Sequence, residues 1–202
     1  MPARRIVLAS GSPRRRELLA AMGVPFEVLT SDVDETVADH DGPADFALQL
    51  ARRKAHAVAG RVADALVIGG DTVVELDGTI FGKPADEAAA LATLGQLSGR
   101  AHRVVTGLAV LDTATGVLRQ EAATSTVRMR AFADDEIRAY VASGEPFDKA
   151  GAYAVQGLGG RLVAAVDGDL DNVIGLPTRT LRRLLAGFGV EVSAPQTPAT
   201  QA

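Results

Sequence analysis

Short apolar runs alternate with amphipathic stretches along most of this chain. Ile6 to Ala9 is apolar and ends in a Gly/Ser loop, which predicts a buried first strand. Ser12 then stands where it can cap a helix opening at Pro13, a favoured first position, with Gly23 as the stop. Phe26 to Leu29 reads as a second strand. From Pro43 to Ala59, Ala47, Leu50, Ala51, Lys54 and Val58 share one face at helical spacing. Ala65 to Ile68 is another buried strand, leading into Gly69, Gly70 and Asp71. Asp77-Gly78 between β-prone residues signals a hairpin. Residues 86–97 predict a helix, and 102–111 and 117–129 long strands joined by a turn near Gly116. "DDEIRAYVAS" reads as a helix stopped by Gly144 and "RLVAAVDG" as a strand, and Pro177 opens a last helix to about Phe188.

βα units mixed with long antiparallel hairpins argue for an α/β fold with a mixed sheet and flanking helices. Residues 1–188 read as a single domain and 189–202 as a disordered tail, since its final stretch "SAPQTPATQA" lacks apolar residues large enough to anchor it. There is no internal repeat, no GxGxxG after the first strand and no Walker A motif, so two common nucleotide-binding architectures find no support.

Composition narrows the function classes. Hydrophobic residues make up 47% and charged residues 23% of 202 residues, enough to bury a substantial core. The net charge of −4 leaves no global basic field for nucleic acid or a membrane surface, so any basic site is local. With no cysteine, thiolate chemistry and Cys-based zinc sites are excluded. The apolar run at the start is too short for a signal-peptide core, and no stretch approaches the ~20 apolar residues that span a bilayer. These features predict a cytoplasmic protein with no membrane partner.

Against that background "LASGSPRRRELL" is out of place, because a helix N-terminus is positive and favours acidic residues. At ~100° per residue, Arg15 projects near the middle of the face defined by Leu18, Leu19 and Met22, Arg14 near its edge, and Arg16 away from it. One reading makes Ser10, Gly11 and Ser12 an anion loop clamped by Arg14 and Arg15. The other is a solvated charge cluster. Asp71, a carboxylate in β-prone sequence, either binds a metal or a partner, or caps a turn at the two glycines. Lys54 on the apolar stripe either snorkels or delivers an ammonium to a phosphate. Lys83 in "FGKP" is a surface loop lysine or a further phosphate contact. One of Asp32, Asp34 and Glu35 has the chemistry to complete a hard-cation site with Asp71. The three histidines lack metal-ligand spacing and read as structural. Taken together, these groups suit a polyphosphate held with Mg²⁺ or Mn²⁺, and metal-assisted attack by water with a carboxylate base.

"LASGSPRRRELL", "DVDE", "RKA", "GDTVV", "GKP", "HRVVTGLAV", "GEPFDKAGAYAVQG" and "NVIGLP" occur in this order, and the chain resembles the Maf family over about residues 5 to 187. The resemblance implies a fold related to the inosine triphosphatase-like group, with two lobes around a cleft. It implies hydrolysis of a nucleoside triphosphate to the monophosphate and pyrophosphate, with a divalent cation and a homodimer. Asp71 matches the family's proton acceptor, with Glu35 and Asp71 holding the metal. Ser10, Ser12, Arg15, Lys54 and Lys83 would hold the triphosphate. Arg14, Thr72 and Gln156 match positions associated with nucleotide choice, and SPRR, DT and "AVQG" resemble the branch acting on dTTP and UTP. Lys149 reaches either the substrate or an ion pair with Asp148 or Glu145. The alternatives are a nucleotide-binding regulator of cell division without turnover and a phosphatase releasing phosphate stepwise. Net acidity and the absence of tryptophan weaken any stable nucleic-acid complex.

Overall fold

A computed structural model describes residues 4–192. Its strands are β1 (Arg5–Leu8), β2 (Glu27–Val28), β3 (Ala65–Leu76), β4 (Thr79–Phe81), β5 (Ala101–Asp112), β6 (Leu118–Met129) and β7 (Val163–Asp167). The helices are α1 (Pro13–Ala21), α2 (Pro43–Ala59), α3 (Glu87–Leu97), α4 (Asp134–Ala142), α5 (Leu170–Ile174) and α6 (Thr178–Ala186). All the strands belong to one mixed sheet in the order β2-β1-β3-β5-β6-β7, with β4 hairpinned onto β3. β2, β1 and β3 run parallel, and every later pairing is antiparallel.

The period-2 alternation of the central strands divides the core between two faces. Ile6, Leu8, Leu66, Ile68, Leu108 and Val110 pack with Leu19 of α1 and with Leu181 and Leu185 of α6. Their neighbours Val7, Val67, Ala109 and Leu111 pack instead against Ala51, Ala55 and Val58 of α2. The far halves of β3, β5 and β6 leave this lobe and form a second one. There Val74, Val104 and Val127 meet Leu94 and Leu97 of α3 and Ile137 and Val141 of α4. Two lobes are thus threaded on the same three long strands.

Several predicted boundaries shift for identifiable reasons. β3 does not stop at Ile68. Gly69, Gly70 and Asp71 continue the ladder against Ala109, Leu108 and Gly107 of β5, so no glycine bend exists for Asp71 to cap. Pro177 is the N-cap of α6 rather than its first helical residue. α5 was not predicted, because a five-residue helix is too short to carry a periodic signal. Asp77 and Gly78 both have positive φ, as the predicted hairpin turn requires. Of the tail expected from 189, Val190 and Val192 pack against the first core, and 193–202 lie outside the described residues. No helix among the described residues is long and apolar enough to cross a membrane.

Candidate active site

β1 pairs with β3 only as far as Ile68, and β4 pairs with β3 only from Val74 onward. Between them the same edge of β3 has no strand partner among the described residues, and a cavity of about 540 Å³ opens there between the lobes. This volume is in the range of small-molecule sites.

The Gly/Ser loop after β1 forms one wall. Ser12 caps α1 by accepting from the Arg15 backbone N–H at 3.5 Å, while Ser10 Oγ accepts from Ser12 N–H at 3.3 Å. The first turn of α1 contains no acidic residue. Arg15 reaches inward, donating from Nε to the Gly175 carbonyl at 2.8 Å, from Nη1 to Ser10 Oγ at 3.2 Å and from Nη2 to Thr72 Oγ1 at 3.0 Å. Burial pulls the Arg15 guanidinium below its ordinary value and the repulsion of Arg14 adds to this, while Asp71 and Glu35 oppose it. A guanidinium stays protonated regardless. Arg14 instead spans the cleft, donating from Nη1 to Asp148 Oδ2 at 3.2 Å. Arg16 is exposed, as its helical angle predicts.

The opposite face of β3 presents Asp71 to α2. Lys54 is buried on the apolar stripe, and its ammonium lies 2.7 Å from Asp71 Oδ1 and 2.7 Å from Glu35 Oε1. Lys54 therefore does not snorkel to solvent. It bridges two carboxylates, the pairing that makes a buried ammonium tolerable. Partial burial raises Glu35, but Lys54, with Lys83 and Arg15 behind it, outweighs this and leaves its pKa lowered. Of Asp32, Asp34 and Glu35, it is Glu35 that shares the Lys54 ammonium with Asp71. The approach of α2 rests on two glycines. A Cβ on Gly69 would fall 2.1 Å from the Ala51 carbonyl oxygen, and one on Gly107 would fall 2.5 Å from the Ala47 carbonyl carbon.

The second lobe supplies the remaining wall, where Lys83 and Gln156 line the same cavity. Lys149 also lines the cavity, where it pairs with Asp148 and donates to the Glu145 carbonyl at 2.5 Å. Burial raises Asp148, but Lys149 and Arg14 together hold it below the ordinary carboxylate value. Glu145 accepts from the N–H groups of Leu158 and Gly159 at 3.0 and 2.9 Å and so braces the turn after Gln156.

The ten residues that the family resemblance assigns to the site all line this one cavity, whereas Asp32 and Asp34 do not. Sequence reasoning missed Thr106, whose Oγ1 lies 3.0 Å from that of Thr72, and the Gly175 carbonyl that holds Arg15. The signal for Thr106 was available, as a lone hydroxyl amid an apolar run in "RVVTGLAV". Backbone groups such as Gly175 O carry no sequence signal.

Comparison with known proteins bears on the same span. The dTTP/UTP pyrophosphatase of Moorella thermoacetica is 50% identical over 188 residues, covering 93% of this chain and 97% of that protein. The protein of the same name from Pelotomaculum thermopropionicum is 48% identical, covering 93% and 98%. Among solved structures, the Staphylococcus aureus Ham1 protein is similar with a TM-score of 0.50 and 18% identity, covering 91% of this chain and 97% of that one. That likeness concerns the fold alone. The sequence profile described as Maf-like protein matches residues 5–188, a span holding every wall of the cleft, and the chain belongs to the Maf family.

Proposed function

We propose that this protein hydrolyses dTTP and UTP to the monophosphate and pyrophosphate. The observation that carries the reading is the placement of Asp71, fixed by Lys54, and Arg15, fixed by three hydrogen bonds, on opposite faces of one open strand edge. The names borne by relatives at 50% and 48% identity support the choice of nucleotides.

The residues divide the work by position. Arg15 has five N–H donors, of which three are engaged by the protein, so one on each Nη is left for a phosphate oxygen. Ser10, Ser12, Lys54 and Lys83 add donors and positive charge along the triphosphate. Lys54 binds Asp71 through Oδ1, leaving Oδ2 to take a proton from the water that attacks the α-phosphorus. As the new P–O bond forms, the bond from the α-phosphorus to the bridging oxygen breaks and pyrophosphate leaves with that electron pair. Charge developing on the leaving group falls beside Arg15 and the lysines. Arg14, Thr72 and Gln156 face the same cavity and are assigned to nucleotide choice.

The acidic residues fit a divalent cation of the Mg²⁺ or Mn²⁺ kind. Glu35 and Asp71 are brought together on one ammonium, and no group of three or more His, Cys, Asp or Glu gathers among the described residues. Such a pair suits a hard cation completed by water and triphosphate oxygens rather than a protein-only cage. When bound, the cation neutralises phosphate charge and polarises the phosphoryl group.

The test is Asp71→Asn assayed with UTP and Mn²⁺ by pyrophosphate release. Loss of the base is expected to lower kcat by about 10²-fold or more. Near-normal turnover would remove Asp71 from the role of base. Release of inorganic phosphate in place of pyrophosphate would make the protein a stepwise phosphatase, and nucleotide binding without turnover would favour the regulatory reading.

A further inference from the structure

Behind Arg15 the polar groups form one buried chain that the hydrolysis itself does not use. Thr106 stands opposite Thr72 in the β3–β5 ladder, and their hydroxyl oxygens lie 3.0 Å apart. Thr106 Oγ1 in turn donates to the main-chain carbonyl of Asn172 at 3.1 Å. Thr106 and Asn172 are both fully buried.

Counting hydrogens gives this chain a direction. Arg15 only donates, so Thr72 Oγ1 accepts from it. A carbonyl only accepts, so the one hydrogen of the Thr106 hydroxyl goes to Asn172. The hydrogen in the contact between the two threonines is then that of Thr72. Reversing the chain would leave a buried carbonyl without a partner, which is unfavourable. α5 cannot satisfy that carbonyl itself, because the Leu176 N–H, which a continuing helix would send to Asn172, bonds Asp171 instead.

We propose that Thr106 is a positioning residue for nucleotide choice: it takes the hydroxyl hydrogen of Thr72, so that Thr72 meets the nucleotide only as an acceptor and selects the imide N–H of uracil or thymine. The proposal rests on the pyrimidine-nucleotide reading above. Uracil and thymine carry a hydrogen on ring N3, whereas cytosine has a lone pair there. A hydroxyl free to rotate serves either group, but one whose hydrogen is committed inward sets lone pair against lone pair with cytosine. Thr72 shares the cavity with Val74, Val104, Tyr153 and Val173, apolar walls suited to a flat base.

The experiment compares wild type, Thr106→Val and Thr106→Ser, the first near in shape but without the hydroxyl and the second retaining it. Dissociation constants for UTP and CTP are measured by calorimetry in EDTA, where no turnover is needed, and kcat/KM for both by pyrophosphate release. Wild type is expected to prefer UTP. Thr106→Val is expected to lower the UTP-over-CTP ratio about tenfold, and Thr106→Ser to keep it within about threefold of wild type. Thr106→Ala is read in parallel, so the outcome does not depend on how the valine packs. In a Thr72→Val background the Thr106→Val change is expected to shift the ratio by less than about twofold, because the effect acts through Thr72. A wild-type ratio near one, an unchanged ratio in Thr106→Val and Thr106→Ala, or a serine variant that behaves like valine overturns the proposal. Selective binding of UTP that Thr106→Val abolishes, without pyrophosphate release by wild type, would sink the hydrolase reading and support the chain of hydroxyls.

Discussion

Three adjacent arginines of one helical turn have three different surroundings. Arg15 is tied to Gly175, Ser10 and Thr72, Arg14 reaches across to Asp148, and Arg16 is exposed. Their substitutions are therefore expected to differ. Arg16→Ala is expected to leave kcat/KM for UTP within about twofold, as an exposed site away from such contacts allows. Arg15→Ala is expected to cost about 10²-fold or more, because it removes donors aimed at developing charge. Arg15→Lys is expected to recover little of this, since an ammonium cannot reproduce three directional bonds and still present two donors. Equal losses at Arg15 and Arg16 in the pyrophosphate-release assay would contradict the assignment. The inward and outward placements follow from helical angles alone. The partner of Arg14 does not, because Asp148 is 134 positions away in sequence.

At the scale of elements, the site depends on how closely α2 lies on the sheet. Gly69 and Gly107 on neighbouring strands leave no volume for a side chain beneath Ala51 and Ala47. The buried face Ala47, Leu50, Ala51, Lys54, Val58 was readable from 3.6-residue periodicity, and the structure adds Ala55. That a lysine on this stripe would meet Asp71 was not readable, because it depends on which strand lies under the helix. Gly69→Ala and Gly107→Ala are each expected to destabilise the fold by about 3 kcal/mol or more, since the obstructing atoms are helix backbone and cannot rotate away. Urea unfolding measures this, and residual folded protein is expected to lose UTP turnover as α2 carries Lys54 away from Asp71. Gly82, whose Cβ would meet nothing within 4 Å, serves as the comparison position.

Across the whole molecule, a buried polar pair links the second lobe to the wall of the cleft. His102, almost fully buried, shares a 2.7 Å hydrogen bond with Tyr153, which lines the cavity. Burial lowers His102 from the usual 6.5 to about 4. The unfolded chain therefore binds a proton at His102 in a pH range where the folded protein does not. Stability is unaffected by this group above about pH 6.5 and falls as pH drops from 6.5 to 4, by up to about 3 kcal/mol. Glu35 and Asp148, whose values are lowered in the fold, also lose their contribution as pH falls, but only below their ordinary range near 4. Urea-unfolding free energies at pH 7.5, 6, 5 and 4.5 are expected to fall more steeply for wild type than for His102→Asn. Parallel curves would show that His102 is not held neutral.

The sequence by itself determined the local grammar of this protein: the strand–loop–helix of the SPRR segment, the buried stripe of α2, the hairpin at Asp77-Gly78 and the outward turn of Arg16. These follow from backbone periodicity and from caps and turns that act over a few residues. Its order of motifs also carried the family, which the match over residues 5–188 bears out. Only the tertiary structure decided that Asp71 continues a strand instead of capping a bend, and that Glu35 joins it on Lys54. It also placed Thr106 behind Thr72 and opened the cleft where β1 has ended and β4 has not begun. Those outcomes depend on strand order and long-range register, which set neighbours between residues that no local period relates.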